Sequence, residues 1–103
     1  MNAQAIAKND ITAASHGVPS VTQLPFVLER ADGTKVLWAV RPEGDWSIDC
    51  ATGAAFGEAL IGHMQEADNP SILGLVAQAI TERGVWSGVE CGFFQRLSEA
   101  AIR

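Results

Sequence analysis

Cys50 closes the short alternating run Trp46-Ser47-Ile48-Asp49-Cys50, directly before a stretch with helical spacing. A thiol at a helix N-terminus has its pKa lowered and can serve as a nucleophile, provided a base stands beside it. The chain has two histidines, His16 near its start and His63 further down the following helix, and no spacing brings either to Cys50. Within the Trp46/Ile48/Cys50 alternation the thiol reads as a small core residue, the usual fate of free cysteine. Cys91 reads the same way. A structural zinc site takes about four Cys or His ligands. Cys50, Cys91, His16 and His63 are the whole supply, and none of them shows a CxxC or HxxxH spacing, so no metal is expected.

The remaining polar groupings are as sparse. His63 and Glu66, three apart on one helix, share a face as metal-binding pairs in bundles do, but no second carboxylate–histidine set completes a site. Glu43, Asp45 and Asp49 gather around a turn, where acidic residues are common for turn chemistry alone. Gly53-Ala54-Ala55-Phe56-Gly57 precedes a helical pattern but lacks the lysine of a phosphate loop and the spacing of a dinucleotide fingerprint. No catalytic residue and no cofactor is assigned.

The elements that would position these groups are better marked. Residues 24–41 spell a β-hairpin. A two-residue Asp32-Gly33 loop would set Arg30 opposite Lys35, like charge against like. A three-residue loop, Ala31-Asp32-Gly33, with Gly33 in the left-handed bulge position, pairs Glu29 with Lys35 and Phe26 with Trp38. That register gathers Phe26, Leu28, Val36, Trp38 and Val40 on the core face and puts Val27, Leu37 and Ala39 on the reverse. Pro42-Glu43-Gly44-Asp45 is a turn, and the alternation of Trp46, Ile48 and Cys50 predicts a third antiparallel strand.

From Thr52 the period is helical, with Phe56, Leu60 and Met64 on one stripe supported by Ala59 and His63, and three glycines (Gly53, Gly57, Gly62) that would let the helix lie close to the sheet. Ala67-Asp68 ends it. Asn69-Pro70 starts a second helix that buries Ile72, Leu73, Val76, Ala79 and Ile80 and ends at Gly84. Ser87-Gly88-Val89-Glu90 is a capping box opening a third, with Phe94, Leu97 and Ala101 inside. The expected architecture is α+β: a three-stranded antiparallel β-meander near residues 24–50, packed on one face by helices near 54–67, 70–83 and 88–102. Residues 1–22, rich in Ala, Ser, Thr and Asn, read as a loosely ordered N-terminal arm ahead of a single domain over residues 23–103.

Composition restricts the function classes. Apolar residues make up 48% and charged ones 18%, a globular balance. The net charge of −5 is spread over both halves, and the seven Lys and Arg do not cluster. Nucleic-acid binding is disfavoured on that account. No signal peptide and no apolar run long enough to span a membrane is visible, and two distant cysteines fit a reducing compartment, so a cytoplasmic protein is expected.

With no convergent polar constellation, the expected function is a small acidic, non-enzymatic module that binds a protein and regulates or inhibits a larger complex. Such proteins are frequent among phage and mobile-element genes. The partner surfaces expected are the outer hairpin face (Val27, Leu37), the Trp86 corner, and an acidic rim of Glu43, Asp45 and Asp49 that would steer a basic partner. Trp86 has a second reading, as a hydrophobic staple before the Ser87 cap. The open sheet edges and half-apolar reverse face are compatible with a homodimer. The alternative is a small thiol- or carboxylate-dependent enzyme or ligand-binding domain using Cys50, His63 or the acidic turn.

Overall fold

In a computed structural model that describes residues 20–103, the chain turns back on itself between Phe26 and Val40. The arm expected over residues 1–22 lies, as far as residue 19, outside the described residues; Val21–Gln23 form a single 3₁₀ turn. Strands β1 (Leu28–Glu29) and β2 (Lys35–Val36) pair antiparallel, with Leu28 opposite Val36 and Glu29 opposite Lys35. The loop is the three-residue one: the Arg30 amide donates to the Thr34 carbonyl at 2.8 Å, and Gly33 sits at φ 88°. Asp32 Oδ1 accepts from both the Thr34 amide and hydroxyl, closing the turn. Past the strands the Ala39 amide donates to the Phe26 carbonyl, and Phe26, Trp38 and Val40 are buried as the register requires. Leu28, expected on the same face, is exposed.

The expected third strand is instead the start of a helix. Helix α1 runs Trp46–Ala67, so among the described residues the sheet has two strands and the meander expected over residues 24–50 does not form. Asp45 caps α1 by accepting the Ile48 amide at 3.0 Å, and the Asp49 carboxylate reaches back to the amides of Glu43 (2.9 Å) and Gly44 (3.1 Å). A cap that satisfies a first-turn amide, and a first-turn carboxylate that ties down the preceding turn at the positive end of the helix dipole, outweigh a three-residue apolar alternation. Once helical, Trp46 is turned out to 59% exposure and Ile48 is exposed with it, not in the core.

Helices α2 (Ser71–Arg83) and α3 (Gly88–Ala101) begin and end close to the expected positions. Asn69 Oδ1 accepts the Ser71 amide and hydroxyl, Gly84 ends α2 in the left-handed conformation, and Ser87 and Glu90 form the capping box. On α3, however, the buried residues are Gly88, Val89, Glu90, Gly92 and Phe93; Phe94 and Leu97 pack at the margin and Ala101 is exposed. The inner face is rotated from the apolar stripe because α3 lays its glycines against α1.

The α1–α3 contact is the closest packing in the fold, and the two helices run parallel: Gly88 meets Trp46, Asp49 and Cys50, Gly92 meets Cys50, and Gly57 meets Phe93 and Arg96. A Cβ on Gly53 would overlap the Val89 carbonyl oxygen, and one on Gly92 would overlap that of Cys50. The α1 glycines therefore serve a helix–helix approach rather than the expected approach to the sheet, and Gly62 faces open space. Parallel packing sets two positive helix ends side by side; the buried first-turn carboxylates Asp49 and Glu90 offset that repulsion.

Leu24, Phe26, Trp38 and Val40 meet Leu60 of α1, Ile72, Val76 and Ile80 of α2, and Val89 and Phe93 of α3. At the centre the rings of Phe26, Trp38 and Phe93 lie 4.7–5.8 Å apart, tilted or edge-on, the arrangement favoured by aromatic quadrupoles.

Candidate interaction surface

The acidic turn is built into the fold rather than laid out as a rim. Asp45 is the α1 cap, Asp49 is 3% exposed with both oxygens occupied by turn amides, and Glu43 alone is an exposed carboxylate without a structural duty. The three are close together, as their spacing implies, but only Glu43 and Asp45 face solvent.

Cys50 and His63 stand 13 residues apart on one helix, about 20 Å at the α-helical rise. No dyad between them exists. Partial burial pushes the Cys50 thiol above its ordinary value, and the neighbouring Cys91 thiol and Asp49 carboxylate push the same way. The helix end therefore does not activate this cysteine. Both cysteines are half-buried thiols, near each other across the α1–α3 contact although 41 positions apart in the chain. His63 is buried, and its Nε2 has no hydrogen-bond partner among the described residues. It lines a shallow cavity of about 640 Å³ with Gln23, Leu24, Glu58 and Glu66. Among the described residues no three His, Cys, Asp or Glu side chains are placed to hold a metal ion.

Trp86 is 62% exposed. A staple would contact the residue one turn into α3, at Cys91. The indole instead stacks on Phe94, a further turn along, with centroids 5.8 Å apart and planes 10° from parallel. One face of the ring is therefore fixed against the protein. The corner it occupies is an apolar pocket of about 300 Å³ formed with Ala77, Ile80, Gly84 and Val85, the last also exposed.

Of the hairpin residues, Val27 packs on the core margin, Leu37 is half-buried and Ala39 exposed. Leu37 belongs to a groove of about 580 Å³ between the outer edge of β2 and helix α2. Arg30, Lys35 and Arg83 line that groove together. Dispersed in sequence, these cations converge in space, which corrects the reading that the basic residues do not cluster. Leu75, an exposed leucine off the apolar stripe of α2, is a further groove residue that the sequence reading passes over. Its position outside the i, i+4 pattern is the available signal; for the cations the hairpin brings Arg30 near Lys35, and nothing in linear order adds Arg83.

No family model, no curated protein and no solved structure matches the chain. Among the described residues no helix is long and apolar enough to cross a membrane.

Proposed function

We propose that this chain is a non-enzymatic protein-binding module that docks on a larger protein complex and regulates or inhibits it. The observation that carries this reading is Trp86, a large aromatic side chain 62% exposed yet held in one orientation by its stack on Phe94, at the mouth of an apolar pocket. A pre-ordered Trp loses little side-chain freedom on binding, and Trp is enriched among the residues that dominate binding energy. The half-buried Leu37 and the exposed Leu75 add apolar groups to a separate groove beside α2. In this reading the protein works in the cytoplasm, where its thiols stay reduced. A second copy of the chain is one partner that an open strand edge accommodates.

Affinity capture from the native host with the wild-type chain and with Trp86→Ala, followed by mass spectrometry, tests the proposal. A stoichiometric partner lost on substitution, with the melting temperature nearly unchanged, supports it. Enzymatic turnover by the purified chain that disappears in Cys50→Ala or His63→Ala would sink it.

A further inference from the structure

We infer that the groove between β2 and α2 receives an extended, acidic segment of the partner protein. This rests on the protein-binding reading and names the chemistry of what is bound.

The groove has the shape for such an occupant. Among the described residues the sheet has two strands and none pairs with the second edge of β2; Lys35 and Val36, with Leu37, Trp38 and Ala39 that follow them, form one wall. Leu75, Gln78, Ala79, Glu82 and Arg83 of α2 form the other. An added strand hydrogen-bonds to an open edge through its main chain and is read through alternate side chains. Leu37 and Leu75 offer apolar contacts to one set of those side chains.

The charge selects the other set. The chain carries −5 overall, yet half of the six Lys and Arg among the described residues line this groove. None of Arg30, Lys35 and Arg83 forms an ion pair with a carboxylate among the described residues; the described ion pairs all belong to Arg96. Among the described lining residues the one carboxylate, Glu82, takes the Gln78 amide at 3.3 Å. Arg83 is also positioned: its Nη1 donates to the Trp38 carbonyl at 3.1 Å, leaving further guanidinium N–H groups for an incoming carboxylate. A net-positive groove on an acidic protein rejects basic segments and attracts acidic ones.

Fluorescence anisotropy with the full chain tests this, using labelled eight-residue peptides that alternate valine with glutamate, with glutamine or with lysine, and an eight-nucleotide single-stranded DNA. The glutamate peptide is expected to bind about tenfold more tightly than its glutamine counterpart, with the advantage shrinking as salt rises. Lys35→Gln, at an exposed hairpin position, and Arg83→Gln are each expected to weaken it by about threefold, the scale of one partly exposed ion pair. Lys35→Gln keeps the test valid if Arg83→Gln perturbs the fold. Equal binding of the glutamate and glutamine peptides, no binding of either at millimolar concentration, or tighter binding of the DNA overturns the inference. If the glutamate peptide fails while a captured partner still depends on Trp86, the groove assignment alone falls. If it binds and no partner is captured, the groove stands as a ligand site and the module reading falls.

Discussion

The indole N–H of Trp38 donates to Glu90 Oε2 at 2.8 Å, between two side chains that are almost wholly buried. Oε1 of the same carboxylate accepts the amide and the hydroxyl of Ser87, each at 2.6 Å. The glutamate of a helix capping box thus also anchors the hairpin, and each of its oxygens has a donor. A buried carboxylate is tolerated on those terms.

Trp38→Phe keeps the ring in the aromatic cluster but leaves Glu90 Oε2 without its donor. It should lower stability by about 1–3 kcal/mol, the cost of an unsatisfied buried acceptor. Glu90→Gln should cost about as much, because an amide offers Ser87 and Trp38 only one accepting atom. Denaturant titration of both single variants and the double variant should give a coupling of about 0.5–3 kcal/mol. Additive losses would show that the two groups do not depend on each other.

Acid should expose the same carboxylate. Burial alone raises the Glu90 pKa, but the Ser87 hydroxyl, the Trp38 indole and the Ser87 amide together outweigh it and hold the group below its ordinary value of 4.5. Its ionised form is favoured by folding, so its contribution is complete above the unfolded value and is lost as pH falls through the lower folded value. Denaturation midpoints measured from pH 7 downward should therefore drop in acid for the wild type. They should drop less for Glu90→Gln, which has no proton to take up. Parallel curves would rule Glu90 out as the group responsible.

Glycine-to-alanine substitutions should divide by position. Alanine favours a helix interior over glycine by about 1 kcal/mol. Gly62→Ala meets nothing within 4 Å and should gain stability on that scale. Gly53→Ala and Gly92→Ala place a methyl against the backbone of the partner helix, where a Cβ would stand 2.7 Å from Phe93 N and 2.9 Å from Cys50 Cα respectively. Backbone cannot rotate away, so these two should lose about 1–3 kcal/mol or more despite the propensity gain. Equal effects at all three positions would show that α1 and α3 do not approach so closely.

Cys50 should behave as a structural thiol. With its pKa raised by partial burial, by Cys91 and by Asp49, less thiolate is present at neutral pH than in a free cysteine. Iodoacetamide labelling followed by mass spectrometry should be slower than in the denatured chain at the same pH. Labelling faster than the denatured control would revive the nucleophile reading of this residue.

The legible parts of this fold are those where several local signals agreed. Glu29 against Lys35 and Phe26 against Trp38 both selected the three-residue hairpin loop, and Gly33 supplied its positive φ. Ser87 and Glu90, Asn69, and Gly84 each marked a helix end through side-chain or backbone chemistry confined to a few residues. The misread segment was the one where two periods competed: Trp46, Ile48 and Cys50 alternate like a strand, while Asp45 and Asp49 stand where a helix start needs them. The inner face of α3 was hidden because Gly88 and Gly92 mark it by absence of a side chain, which an apolar stripe does not register. The groove cations are the extreme case: the hairpin sets Arg30 and Lys35 close together, but Arg83 joins them only once the hairpin has packed on α2.

The last prediction separates the two duties of the acidic turn. Asp49 is buried and holds the amides of Glu43 and Gly44 with separate oxygens, whereas the Glu43 side chain is exposed. Asp49→Asn replaces one accepting oxygen with an NH₂ group, so one turn amide is left facing a donor. It also removes the negative charge beside two helix N-termini. The expected loss is about 1–3 kcal/mol of stability. Glu43→Gln changes nothing that the fold uses and should stay within about 0.5 kcal/mol of wild type. If charge at this turn speeds association with a basic surface, Glu43→Gln should lower the on-rate and flatten its salt dependence at unchanged melting temperature. Thermal melts read beside stopped-flow association resolve the two. Equal melting temperatures for both variants would mean that Asp49 is surface charge after all, and the helix start at Trp46 would then have to rest on Asp45 alone.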